Sequence, residues 1–432
     1  MSPIDPSLAA NEAHKIEAFL SMQPEVGALR EALGKSGFKL YLFGGAIRDL
    51  LLGRSCYDID LLTIGAADPE KPFDPFLELI KAFGEKRGLK IQDCRPFHIE
   101  LHGRGSKIDL RYPSKTIERA VVRSDFTVDG IAYDLASRSF NDPLKGLEDF
   151  RARRLRVHSP AYFITNPVYF PRAFRIAALI GFDLPKELLA LIHNFRPMVS
   201  MHSGQAMPMV LIELLRLLSI EEIAPYLSGL ISTNLLENLI PEIVPLAIIK
   251  DKAVPPKTLL QLNVEAIESS AKWIKTVPEP VLKFLKAGPA DGSQITMLGC
   301  VRFGALFRGF GSSYELVGPA SPYRIAECGS DNSAFEQRMQ RNVISFMAAR
   351  YAHTPLLKAL IGGLPLVLEL TEQIQTKPAW DVMSANYQRW SGSMPVGLPQ
   401  QALLTALIAM KNPQGVAPAT ADYENRLLEL IK

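Results

Sequence analysis

Between residues 40 and 63 the chain reads LYLFGGAIRDLLLGRSCYDIDLLT, and this stretch constrains its fold more than any other. The run Lys39–Phe43 reads as a strand. Gly44 and Gly45 follow, then a helix from Ala46 to about Leu52. Paired glycines between a strand and a helix start let the backbone approach an anion, and free N–H groups with the helix dipole favour phosphate there. Gly-Gly turns also occur with no ligand, so the pair alone does not decide. Asp58 and Asp60 then open a second strand. Residues i and i+2 of a strand share a face, so the two carboxylates converge. They repel unless a cation lies between them, and hard oxygen donors suit Mg²⁺. With Ile59 between them and Leu61 and Leu62 beyond, the acids stand at the mouth of a buried strand.

Further strands are expected at 59–63, 90–93, 97–102 and Lys107–Arg111, the last two joined by a turn at 103–106. Asp74–Arg87 has helical spacing, with Asp74 at the cap and Pro75 at the first position. On the return strand of the hairpin, Ile108 and Leu110 face the core, so Asp109 shares the other face with Lys107 and Arg111. Three acids on neighbouring strands beside a Gly-Gly turn make a two-metal phosphoryl-transfer site of Asp58, Asp60 and Asp109. From about residue 172 the pattern turns helical, with segments at 188–192, 210–218, 221–230, 281–286, 334–349, Pro355–Gln375 and 399–411. The fold class expected is α+β. A helical extension (1–35) precedes a small mixed-sheet head (36–145), a helical neck (146–218) and a helical body and tail (219–432).

A chain of 432 residues is past the size at which one core usually splits, so two to four domains are expected. No apolar run reaches the length of a membrane span, and the first ten residues do not read as a secretory signal. The four cysteines, Cys56, Cys94, Cys300 and Cys328, are scattered without a CxxC pair. That argues against a zinc site or disulfide framework and for a reducing cytoplasm. The net charge of +3 is too small for a general polyanion binder, so nucleic-acid contact must come from local patches.

GGAIRD at 44–49 followed by Asp58 and Asp60 resembles the first motif of class II nucleotidyltransferases, the family of bacterial tRNA nucleotidyltransferases and poly(A) polymerases. RSDFTVDG at 123–130 is similar to the family's RRDFTINA, DPLKGLEDF at 142–150 to its DPxGGxxDL, and TNPVYFPRAFR at 165–175 to its EDPxRxLRAxR. The resemblance covers roughly residues 38–183. It implies transfer of a nucleoside monophosphate from ATP or CTP to the 3′ end of an RNA, with tRNA first among candidates, using two Mg²⁺ ions. It implies that Gly44, Gly45 and Arg48 hold the triphosphate, that Arg123 and Asp125 contact sugar and phosphates, and that Asn166, Tyr169, Arg172 and Arg175 lie at the nucleotide.

The neck departs from the family. Asn166 and Tyr169 stand where the family has the Asp and Arg that read the base, and Thr165 stands at its Glu. A fixed fork of donors is thereby replaced by one hydroxyl, which points to relaxed or ATP-biased incorporation rather than ordered addition of C, C and A. Pro171 is expected to restart the helix as its first residue. Ser124 and Asp129 replace the second Arg of RRD and the Asn of TINA, and residues 203–207 are a weak match to the family's next motif. Arg151, Arg153, Arg154 and Arg156, followed by Arg172 and Arg175, form a basic run suited to RNA, or else a solvated face. His98, Glu100 and His102 share one strand face, but without the spacing of a helical zinc motif. The rival to an enzyme is a catalytically impaired RNA-binding protein that keeps the fold. The sequence does not determine the oligomeric state.

Overall fold

A computed structural model describes residues 6–54, 56, 58–65, 74–94, 98–103, 107–201, 206–248, 250, 257–288, 294–308, 347–352, 354–375, 384–389, 401, 404–405, 426 and 428–429. The chain divides into two compact units, Met1–Phe163 with Ile180–Leu188, and Ile164–Leu179 with Leu189–Lys432.

The first unit runs α1 (Pro6–Ser21), α2 (Pro24–Lys35), β1 (Lys39–Phe43), α3 (Gly45–Leu51), β2 (Asp58–Ile64), α4 (Asp74–Arg87), β3 (Lys90–Cys94), β4 (His98–His102) and β5 (Lys107–Arg111). It continues with α5 (Ile117–Val121), β6 (Ala132–Asp134), β7 (Ser139–Asn141), α6 (Gly146–Arg151) and α7 (Pro160–Phe163). The strands form one mixed sheet in the order β3-β4-β5-β2-β1-β6-β7. β2 and β5 are parallel, and the other neighbours are antiparallel.

The period-2 alternation of these strands gives the sheet two unlike faces. Leu40, Leu42, Ile59, Leu61, Ile99, Leu101, Ile108 and Leu110 point to one side and pack with Ile16 of α1, Leu29 of α2, Ile47 of α3 and Phe76 and Ile80 of α4. Full burial of each such side chain contributes about 1.5–3 kcal/mol. Slipping β2 by one residue would send its acids into this core, so the register of the site is fixed by the hydrophobic pattern. The opposite face carries a smaller apolar cluster of Tyr41, Phe43, Leu62, Val121 and Ala132.

β1, α4 and β5 have the bounds expected from the sequence, and β2 is one residue longer at each end. β6 and β7 were not anticipated, because three-residue strands carry no readable period. Their turn is built by Asp134, whose Oδ1 accepts from the backbone N–H of Ala136 at 2.8 Å and of Ser137 at 3.1 Å.

The second unit is helical among its described residues. Helix Leu259–Ile274 starts at a capping box in which Thr258 and Gln261 bond each other's backbone N–H. Trp273 is buried in it, as expected of a packing residue, while Trp380 and Trp390 lie outside the described residues. So do residues 203–205, 334–346 and most of 399–411. Helix α8 spans Tyr169–Ile180, which corrects the expectation for Pro171: it is the third helical residue, not the first. The first turn needs no backbone donor, so proline is tolerated there without a break. Helix Pro355–Gln375 even carries Pro365 in its interior. Among the described residues no helix is long and apolar enough to cross a membrane.

Candidate active site

β2 and β5 bring two of the three predicted acids together; among the described residues the ligand atoms of Asp58, Asp60 and Asp109 do not all lie within 4.8 Å of one another. In their parallel register Asp60 stands opposite Asp109, and Asp58 opposite Lys107. Neighbouring strands lie about 4.8 Å apart, so Asp60 and Asp109 present their carboxylates side by side. β4 continues the row, with Glu100 opposite Asp109, His102 opposite Lys107 and His98 opposite Arg111. Asp60, Asp109 and Glu100 thus cross three adjacent strands on one face. Glu100 was seen in the sequence only as part of a His-Glu-His strand; its place in the row needed the pairing of β4 with β5.

Lys107 offsets part of this negative charge. Its Nζ lies 3.1 Å from Glu100 Oε1 and 3.2 Å from Asp109 Oδ2. Burial pushes the Glu100 carboxyl up, but hydrogen bonds from Lys107, His98 and His102 outweigh it and hold the group below the ordinary carboxylate range. Asp109 Oδ1 is buried and has no hydrogen-bond partner among the described residues. An unpaired buried carboxylate oxygen is costly, and one beside a second carboxylate is the donor set that a hard divalent cation completes. Asp58, at the strand start, is exposed. Burial pushes the nearby Cys56 thiol up to about 12, and the charges of Asp49, Asp60 and Asp58 add to the shift.

The Gly-Gly turn abuts these acids. Gly44 caps α3 at φ +72°, a conformation that glycine adopts freely. A Cβ on Gly44 would lie 3.6 Å from Asp60 Oδ2, and one on Gly45 would meet Arg48 Nη2 at 3.2 Å. Arg48 is buried beneath the turn. Its Nη1 donates to Asp129 Oδ1 at 2.5 Å, and its Nε donates to Asp49 Oδ1 at 3.1 Å. The guanidinium therefore braces the glycine turn from inside. Arg123 is exposed, whereas Asp125 is buried and accepts from the Phe126 N–H at 3.0 Å.

The basic run is organised around one acid of the DPLKGLEDF stretch. Asp149, fully buried, accepts from Thr127 Oγ1 at 2.7 Å, Arg154 Nη2 at 2.5 Å and Arg156 Nε at 2.7 Å. Arg151 pairs with Glu12 at 2.8 Å, and Arg153 donates to the Gly181 carbonyl at 2.8 Å. Arg154 and Arg156 keep nearly half of their side-chain surface open, 47% and 40%. The four arginines are thus anchored on one side and open to solvent on the other. Gly146 fits here because a Cβ would overlap the Thr127 carbonyl. Lys145, at the first glycine of the family's DPxGG, adopts φ +58°.

In the second unit, Asn166 Oδ1 accepts from the Val168 N–H at 3.1 Å and Asn166 O from the Tyr169 N–H at 3.1 Å, so Asn166 shapes the start of α8. Tyr169 and Arg172 are half-buried. Arg175 is buried and its Nε donates to Glu213 Oε2 at 2.5 Å, while Glu213 Oε1 accepts from Arg216 at 3.0 Å. Burial pushes Glu213 up, but the charges of Arg175 and Arg172 reverse this and hold it below the ordinary range. Arg175, expected from the resemblance to lie at the nucleotide, is a buried charge of this unit paired with Glu213.

Sheet, acid pair and glycine turn make up the head, and its residues 40–156 match the poly A polymerase head domain family. Among its relatives are the CC-adding tRNA nucleotidyltransferase of Geobacter sulfurreducens, 28% identical over 49% of this chain and 48% of that protein. The multifunctional CCA protein of Xylella fastidiosa strain M12 is 34% identical over 48% of this chain and 50% of its own length. The chain thus spans about half the length of the curated relatives it matches. A solved tRNA nucleotidyltransferase, complexed with a primer tRNA and an incoming ATP analog, superposes with a TM-score of 0.60 at 15% identity. The superposition covers 93% of this chain and 96% of that one and shows a shared α+β fold.

Proposed function

We propose that this chain transfers a nucleoside monophosphate from a nucleoside triphosphate to the 3′-hydroxyl of an RNA, with tRNA as the substrate class. The observation that carries this reading is the placement of Asp60 opposite Asp109 beside Gly44, with Asp109 Oδ1 buried and unpaired among the described residues. Asp58, Asp60 and Asp109 would hold two Mg²⁺ ions. When bound, such ions lower the pKa of an attacking hydroxyl and neutralise the leaving pyrophosphate. The Gly44–Gly45 turn leaves room for the triphosphate, and Arg48 holds that turn in shape. Arg123, which is exposed, would contact the nucleotide's sugar and phosphates, and the open sides of Arg154 and Arg156 would meet the RNA backbone. The CC-adding tRNA nucleotidyltransferase among the relatives, and the tRNA nucleotidyltransferase solved with a primer tRNA, support the substrate class.

Base choice follows from Asn166 and Tyr169. With Asn166 Oδ1 committed to the backbone, its amide N–H₂ remains as a donor, and Tyr169 supplies one hydroxyl in place of an arginine fork. Loss of a bidentate contact removes roughly 1–3 kcal/mol of discrimination, so incorporation is relaxed or biased to ATP. The test supplies each triphosphate separately, with Mg²⁺, to tRNAs ending before each position of CCA. Transfer of AMP, with weak discrimination among triphosphates, is expected. No transfer from any triphosphate would overturn the activity, and ordered addition of two C and one A would overturn the base preference alone.

A further inference from the structure

The hairpin of β3 and β4 brings together three side chains that the nucleotidyltransferase reading does not use as a set. Cys94 stands opposite His98 in the antiparallel register, and Glu100 follows two residues on. All three therefore project from the same face. One ligand atom from each, the Cys94 sulfur, a His98 ring nitrogen and a Glu100 carboxylate oxygen, lies within 4.8 Å of the other two, and all three residues are half-buried. In the sequence no cysteine has a CxxC partner, and Cys94 joins His98, Glu100 and His102 only through hairpin register.

We propose that Cys94, His98 and Glu100 bind a borderline-soft divalent cation of the Zn²⁺ class. One thiolate, one imidazole and one carboxylate form a mixed S, N, O set that suits zinc far better than magnesium. Three protein ligands leave a fourth position for water. His98 Nε2 lies 3.3 Å from Glu100 Oε1, long for a hydrogen bond between these groups. It is close to the edge of a tetrahedron with zinc–ligand distances of about 2.0–2.1 Å, which is roughly 3.3 Å. The remaining carboxylate oxygen is already oriented, because Glu100 Oε2 lies 3.1 Å from His102 Nε2. Lys107 Nζ touches Glu100 Oε1 at 3.1 Å and competes for it. Asp109 offers the ammonium an alternative partner at 3.2 Å when a metal takes the glutamate. Coordination displaces the Cys94 thiol proton to solvent.

This site is separate from the Mg²⁺ ligands proposed for catalysis, and its test is spectroscopic. The full chain, stripped with a chelator, is titrated with Co²⁺, and thiolate-to-metal charge transfer is followed with excess Mg²⁺ present. A saturable band that Zn²⁺ abolishes is expected; hard carboxylate sites give none. Cys94→Ser removes the band, Cys56→Ser keeps it, and His98→Ala weakens Co²⁺ binding by about tenfold or more. Mass spectrometry of iodoacetamide-treated wild-type protein adds a measurement that needs no variant: Zn²⁺ protects Cys94 from alkylation. Absence of the band in the wild-type chain, its survival in folded Cys94→Ser, or alkylation of Cys94 at an unchanged rate with Zn²⁺ would each overturn the site.

Discussion

Arg48 and Asp129, 81 residues apart in sequence, form an ion pair in which guanidinium and carboxylate lie 2.5 Å apart and both residues are almost wholly buried, 4% and 5% exposed. The pair ties the glycine turn to the 3₁₀ turn Thr127–Asp129. Breaking a buried pair from one side leaves an uncompensated charge, which costs about 3–5 kcal/mol. Arg48→Met is expected to lose stability on that scale in chemical denaturation. Asp129→Asn, which restores the family's residue and can still accept from Arg48, loses less than half as much. Equal losses would mean that the negative charge itself, rather than an acceptor, is what Arg48 needs.

Asp60→Ala and Asp109→Ala are each expected to reduce monophosphate transfer a hundredfold or more, on the scale seen when a transition-state charge stabiliser is removed. Far-UV circular dichroism stays unchanged, because neither side chain is part of the apolar core. Full activity in Asp109→Ala would remove that residue from the site and leave Asp58 and Asp60 as the acids.

The acid limb of stability in the second unit is assigned to Glu213. Its folded carboxyl titrates below the ordinary value of about 4.3. Its contribution is therefore complete above that value and disappears as pH falls through the lower, folded one. Glu213→Gln flattens this limb, and Glu213→Ala, which takes the carboxylate away from Arg175 and Arg216, costs about 3–5 kcal/mol. Thermal unfolding between neutral pH and pH 2 reads both effects, and an acid limb unaltered by Glu213→Gln would contradict the assignment.

Lys145 carries backbone strain. At φ +58°, a side chain with a Cβ costs roughly 1–2 kcal/mol, partly offset by the extra chain entropy that glycine loses on folding. Lys145→Gly is therefore expected to raise stability by about 0.5–1 kcal/mol. A lower melting temperature would show that the lysine side chain makes a contribution larger than the strain.

RNA affinity tests the arginine run. Asp149 anchors Arg154 and Arg156 but leaves their outer surfaces open. Arg156→Gln is expected to lower the magnitude of the slope of log K against log salt by about 0.7–0.9 for one lost phosphate contact. An unchanged slope would mark the run as a solvated face.

Much of the head was legible in the sequence because its signals are local. β1, α4 and β5 declare themselves by apolar period and caps, and the two acids of β2 by strand alternation. Relations created by pairing were not legible. Glu100 joins the acid row, and Cys94 joins His98, only through registers that no single segment encodes. Asp149 was read as part of a family motif; that one carboxylate gathers Thr127, Arg154 and Arg156 becomes visible only when the loop closes. Arg175 shows the same limit: its partner Glu213 lies 38 positions away on another helix, a relation that the motif carrying Arg175 does not encode.

Lys107 gives the acid row an internal counter-ion. Two carboxylates that would otherwise face each other across β4 and β5 are bridged by one ammonium belonging to the chain. Charge balance in this part of the sheet is therefore not wholly borrowed from solution. Under the proposed function, chelation of Mg²⁺ would therefore be a reversible loss of activity rather than a route to unfolding, because this counter-ion stays with the strands.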